Sequence, residues 1–76
     1  MRIFVGNLNE KVTSFHLIRL FITYGKVVSA YIMPDGTNGH SLGFGIVEME
    51  DNNAAMAIEG LDSCRFMNRY MDVYEV

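Results

Sequence analysis

Basic residues are scarce in this chain: six Lys and Arg stand against nine Asp and Glu, a net charge of −3. Arg2, Lys11, Arg19, Lys26, Arg65 and Arg69 are scattered, and no run of them forms a cationic patch. A polyanionic partner would gain little from counterion release, so modest affinity and a shallow salt dependence are expected. Cysteine is nearly absent. Cys64 stands alone, which excludes an internal disulfide and fits a reducing cytoplasm; a buried free thiol is expected rather than a nucleophile. His16, expected on a helix surface, and His40, expected in an exposed loop, have no close cluster of cysteines or carboxylates around them, so neither metal nor cofactor is expected. No nucleophile, base and orienting group stand together, and no glycine loop precedes a helix to cradle phosphate, so no catalytic residue is assigned. No apolar run approaches a membrane span, and no basic leader precedes an apolar stretch; membrane association is not expected.

What the chain does have is alternation. Ile3-Phe4-Val5-Gly6-Asn7-Leu8 and Gly43-Phe44-Gly45-Ile46-Val47-Glu48-Met49 each repeat with period two, the signature of a strand with two unlike faces. Ile3, Val5, Gly45 and Val47 fall on one face and suit a core. Phe4, Phe44 and Ile46 fall on the other, where a small protein would not normally leave them bare. If the two strands are neighbours, those residues form a flat exposed platform of the kind on which single-stranded nucleic acid stacks.

At 76 residues, half of them hydrophobic, the chain has room for one modest core and is read as a single domain over 1–76. Residues 2–5 form the first strand. Thr13 is placed to cap the first helix, but His16 stands where an acidic residue would close a capping box, so no box is expected. Leu17, Leu20, Phe21 and Tyr24 recur with helical spacing and define its buried face, and Gly25 stops it. Residues 26–33 read as the second strand, with Val27, Ala30 and Ile32 inward. Asp35-Gly36 and Asn38-Gly39 then mark residues 34–42 as a flexible hairpin loop. Asp51 or Asn52 is expected to cap the second helix, whose inner face carries Ala54, Ala57, Ile58 and Leu61 and which Gly60 should end. Residues 69–75 alternate as a last strand with Met71 and Val73 inward. The order βαββαβ is the ferredoxin-like α+β sandwich: a four-stranded antiparallel sheet with two helices on one face.

These residues resemble the RNA recognition motif (RRM) family. Its first-strand motif reads aliphatic-aromatic-aliphatic-x-Asn-Leu, and Ile3 to Leu8 match every specified position. Its third-strand motif, Lys/Arg-Gly-Phe/Tyr-Gly/Ala-Phe-Val-x-Phe/Tyr, is met at Gly43, Phe44, Gly45 and Val47 and departed from at Leu42, Ile46 and Met49. The resemblance covers the whole chain and is similar in scale to small single-domain bacterial members. It implies single-stranded RNA as partner, with Phe4 stacking one base and Phe44 contacting a sugar or ring. Ile46 supplies apolar contact but no aromatic face, and Leu42 removes the basic residue that would hold a phosphate. Tyr31 and Tyr74 fall on the same face by alternation and compensate in part. Arg2 and Arg69 are the best-placed phosphate partners; Glu48 and Asp72 point outward, where they repel the RNA backbone but accept hydrogen bonds from base amino groups. Asn7 is read equally as a turn former or an RNA contact.

One feature lies outside this pattern. Phe15, Ile18 and Ile22 form a second apolar stripe on the first helix, opposite its core face. Either the 11–12 loop or the chain end folds over it, or it meets a protein partner or a second copy of the chain. Two functions therefore stand: weak single-stranded RNA binding through the sheet, or an RRM-shaped protein-interaction or homodimerisation module. The peptide-binding subclass of the family carries Arg-x-Phe before its last strand; Arg65-Phe66 lacks the spacer.

Overall fold

Alternation in the first strand and helical spacing after Thr13 are realised as β1 (Arg2–Gly6) and α1 (Ser14–Phe21), the latter closed by a 3-10 turn (Ile22–Tyr24). β2 (Val27–Pro34), β3 (Ser41–Met49), α2 (Asp51–Leu61), β4 (Arg65–Phe66), β5 (Arg69–Tyr70) and β6 (Asp72–Glu75) follow. This computed structural model describes residues 1–34 and 41–76. The turn dipeptides expected between β2 and β3, and His40, lie outside the described residues.

The main sheet has the order β2-β3-β1-β6, antiparallel throughout, so β1 and β3 are the central neighbours that a platform requires. Both helices cover one face: α1 lies chiefly over β2, α2 over β1, β3 and β6. Between them Ile3, Val5, Val47, Met49 and Val73 from the sheet, with Met71 just before β6, meet Leu17, Phe21, Ala54 and Ala57 from the helices, all essentially without solvent contact. Burial of that order stabilises each large side chain by roughly 1.5–3 kcal/mol. The ferredoxin-like arrangement follows from the two periodicities, two in the strands and 3.6 in the helices.

Several local expectations are corrected. The α1 capping box exists: Thr13 Oγ1 accepts from His16 N at 3.4 Å, and His16 Nδ1 accepts from Thr13 N at 2.9 Å. An unprotonated imidazole nitrogen replaces the carboxylate as acceptor. α2 is capped not by Asp51 or Asn52 but by Glu50, whose carboxylate accepts from Asn52 N at 3.3 Å. Gly60 does not end α2, which continues to Leu61; a Cβ at Gly60 would collide with the Tyr24 phenol, so its role is clearance. Cys64 is exposed, its thiol donating to Gly60 O at 3.1 Å, because the chain turns outward after Leu61.

The last expected strand is divided. Arg69 and Tyr70 pair with Phe66 and Arg65 in a small separate hairpin, turned by Met67 (φ 49°) and Asn68 (φ 71°), and β6 begins only at Asp72. Two successive positive φ angles are those of a type I′ turn. Met67-Asn68 lacks the Asn-Gly or Asp-Gly signature, which is why the sequence did not reveal it.

Candidate nucleic-acid interface

The sheet face away from the helices carries the expected set. Register places Tyr31 opposite Ile46, Ile46 opposite Phe4, and Phe4 opposite Tyr74. One row thus crosses all four strands, Tyr31–Ile46–Phe4–Tyr74, with a tyrosine on each edge strand. Phe44, one residue from the Val5–Gly45 pair, joins it: the Phe4 and Phe44 rings stack with centroids 5.5 Å apart and planes 24° apart, and Phe4 and Tyr74 at 4.8 Å and 26°. Tyr31 and Tyr74 stay 41% and 53% exposed, with Phe4, Phe44 and Ile46 half-buried. Three near-parallel rings on one surface suit bases that stack.

Two glycines permit this. Phe4 leans along its own strand over Gly6, where any Cβ would fall 2.7 Å from Phe4 Cζ and closer still to Cε2. Gly45, on the inner face, lies against the Tyr31 carbonyl and the Leu17 and Ile32 side chains, so a side chain there would drive β2 from β3.

A second row lies two residues along the strands. Arg2 is opposite Glu48, and Glu48 opposite Ser29. Arg2 Nη2 donates to Tyr31 OH at 3.1 Å, and Ser29 Oγ donates to Glu48 Oε1 at 3.3 Å. At the other end of the platform Asp72, opposite Gly6, is exposed.

The structure also resolves Asn7. It holds a left-handed backbone (φ 56°), donates from Nδ2 to Tyr70 O at 2.7 Å, and receives Arg69 on both its backbone and side-chain oxygens. Asn7 therefore ties the end of β1 to the β4–β5 hairpin and steers Arg69. Arg69 stands at the wall of a cleft of about 750 Å³ lined by Phe4, Leu8, Lys11, Leu42 and Phe44 among others. Lys11, which sequence reasoning did not select, faces the same cleft. Its only signal was position, a few residues past the first-strand motif.

Phe15, Ile18 and Ile22 sit on the opposite side of the core. Phe15 and Ile22 are 63% and 56% exposed and Ile18 is half-buried. Val12 is in the core and Val76 pairs with Arg2 on the sheet, so neither loop nor chain end covers the stripe. Among the described residues no group of three or more His, Cys, Asp or Glu is placed to hold a metal, and no helix is long and apolar enough to cross a membrane.

The sequence model of the RNA recognition motif family matches residues 3–72. The chain belongs to that family. It is 40% identical over 74 residues to the protein named "Putative RNA-binding protein RbpE" in the cyanobacterium Nostoc sp., a match covering 96% of this chain and 75% of the relative. In three dimensions it superimposes on the crystal structure of RNA binding protein PG1 with a TM-score of 0.96 at 44% identity, covering 100% of this chain and 93% of that one. The structure titled SXL-lethal protein/RNA complex matches with a TM-score of 0.92 at 25% identity, over 99% of this chain and 46% of that one.

Proposed function

We propose that this protein binds single-stranded RNA on the open face of its four-stranded sheet. The observation that carries the reading is the Tyr31–Ile46–Phe4–Tyr74 row with Phe44 stacked on Phe4, an aromatic surface the fold leaves uncovered. An RNA-bound neighbour of the same fold and the name of the cyanobacterial relative support it. Phe4 stacks one base and Phe44 contacts a sugar or ring. Ile46 gives apolar contact, and Tyr31 and Tyr74 extend the surface to both edges. Arg69 and Lys11 at the cleft meet phosphates; Arg2, expected from the sequence to do the same, is held by Tyr31 OH opposite Glu48 and faces the bases instead. Asp72 accepts from base amino groups.

Residues 1–76 act as one RRM domain in the cytoplasm of a bacterium, without cofactor, metal or catalysis, on RNA folding, stability or translation. A protein partner or second copy at Phe15, Ile18 and Ile22 is a separate surface that the relatives do not favour as the main activity. The test is fluorescence anisotropy of labelled short RNAs with the parent protein, Phe4→Ala and Ile22→Glu. Phe4→Ala should weaken binding roughly 5- to 100-fold, the value of one base-aromatic stack, and Ile22→Glu should not change it. The reverse pattern would place binding on the helical side.

A further inference from the structure

Arg2 and Glu48 carry opposite charges and sit directly across β1 and β3, yet among the described residues no ion pair joins them. Each instead leans on a neutral hydroxyl: Arg2 on Tyr31 OH at 3.1 Å, Glu48 on Ser29 Oγ at 3.3 Å. Each hydroxyl engages one site only. A guanidinium has five N–H donors in a fixed fork and a carboxylate about four acceptor positions, so most of both sets remain open. Both side chains are exposed, on the same face as the stacking row.

Their position relative to that row matters. Ile46 lies between Tyr31 and Phe4, an apolar floor within the stacking row. A base resting on Ile46 turns one edge toward the next row, where Arg2 and Glu48 stand side by side. That edge must offer an acceptor to the guanidinium and, next to it, a pair of donors to the two carboxylate oxygens.

Guanine alone offers two donors on neighbouring atoms beside an acceptor. Its O6 accepts from the guanidinium. Its N1–H and N2–H lie side by side and match the two oxygens of a carboxylate. Adenine presents one amino group flanked by ring acceptors, cytosine an amino group beside the N3 lone pair, and uracil an N3–H between two carbonyls. None of these sets donors on two neighbouring atoms against both oxygens of Glu48. We infer that this chain prefers guanine at the nucleotide seated on Ile46, read by Arg2 and Glu48.

The inference rests on the RNA-binding reading and is tested so that the two fail separately. Short uridine-flanked RNAs with a single central guanine, adenine, cytosine, uracil or inosine are titrated by anisotropy. Guanine should bind on the order of tenfold tighter than the other standard bases. Inosine, which keeps O6, N7 and N1–H but lacks the 2-amino group, should fall between. Glu48→Gln and Arg2→Gln should each lower guanine affinity toward the level of the other bases. Equal binding of the four standard bases, preference for another base, or a guanine preference that survives both substitutions overturns this inference and leaves RNA binding standing. No binding of any RNA overturns both.

Discussion

The ring of Phe4 lies over Gly6. No Cβ fits between them, since one built at Gly6 would fall 2.7 Å from Phe4 Cζ. Gly6 is on the same strand face as Phe4, two residues on, so a stacking ring is set by a residue that touches no ligand itself. Gly6→Ala should push the ring upright without disturbing the core, because the obstructed atoms are the far end of a side chain. RNA affinity should drop roughly tenfold, up to the value of one stack, while the melting temperature stays within a few degrees.

Ile46 gives the opposite test. It occupies the centre of the cross-strand row, between Tyr31 and Phe4, where the family motif has Phe. Ile46→Phe should add a stacking face and tighten RNA binding by about 1 kcal/mol, read as the anisotropy midpoint. A loss of affinity would mean that the aliphatic floor is itself selected for.

Gly45→Ala separates folding from binding. The added methyl meets a backbone carbonyl, that of Tyr31, and lies 3.1 Å from Leu17 Cδ1 and Ile32 Cδ1. Backbone does not yield as a ring does, so unfolding free energy should fall by roughly 1–3 kcal/mol in urea melts.

His16 tests the helix start. His16→Ala removes the acceptor that Thr13 N uses at 2.9 Å and should cost about 1 kcal/mol. His16→Glu supplies a carboxylate at the same position and should preserve stability.

Salt dependence follows from the charge placement. Lys11 and Arg69 are the cations at the cleft, with Arg2 beside Glu48. Two or so phosphates neutralised on a single strand predict a slope of about 1–2 in log Kd against log salt. A slope of about 5 would require a cationic surface that this chain does not carry.

Much of this was legible before any coordinates. The faces of β1 and β3 follow from strict alternation, and Phe4, Phe44, Ile46, Tyr31 and Tyr74 share one surface. What the sequence hid depends on contacts between distant segments. The type I′ turn at Met67-Asn68 carries no glycine, so Arg65–Phe66 goes unread as a strand and Arg69–Tyr70 reads as the start of the last one. Gly60 looked like a helix stop because its partner, the Tyr24 phenol, comes from the other helical segment. The His16 cap was missed because imidazole is not a usual acceptor at that position. Arg69 reads as a free cation until Asn7 is seen to hold it.

The most direct test of the central claim is an amide chemical-shift titration of the labelled protein with short single-stranded RNAs at low and moderate salt. Shifts concentrated on residues 2–5, Tyr31, residues 44–48 and Tyr74, with Phe15, Ile18 and Ile22 silent, are the predicted result. No shifts at millimolar RNA, or shifts confined to the outer face of α1, would contradict it.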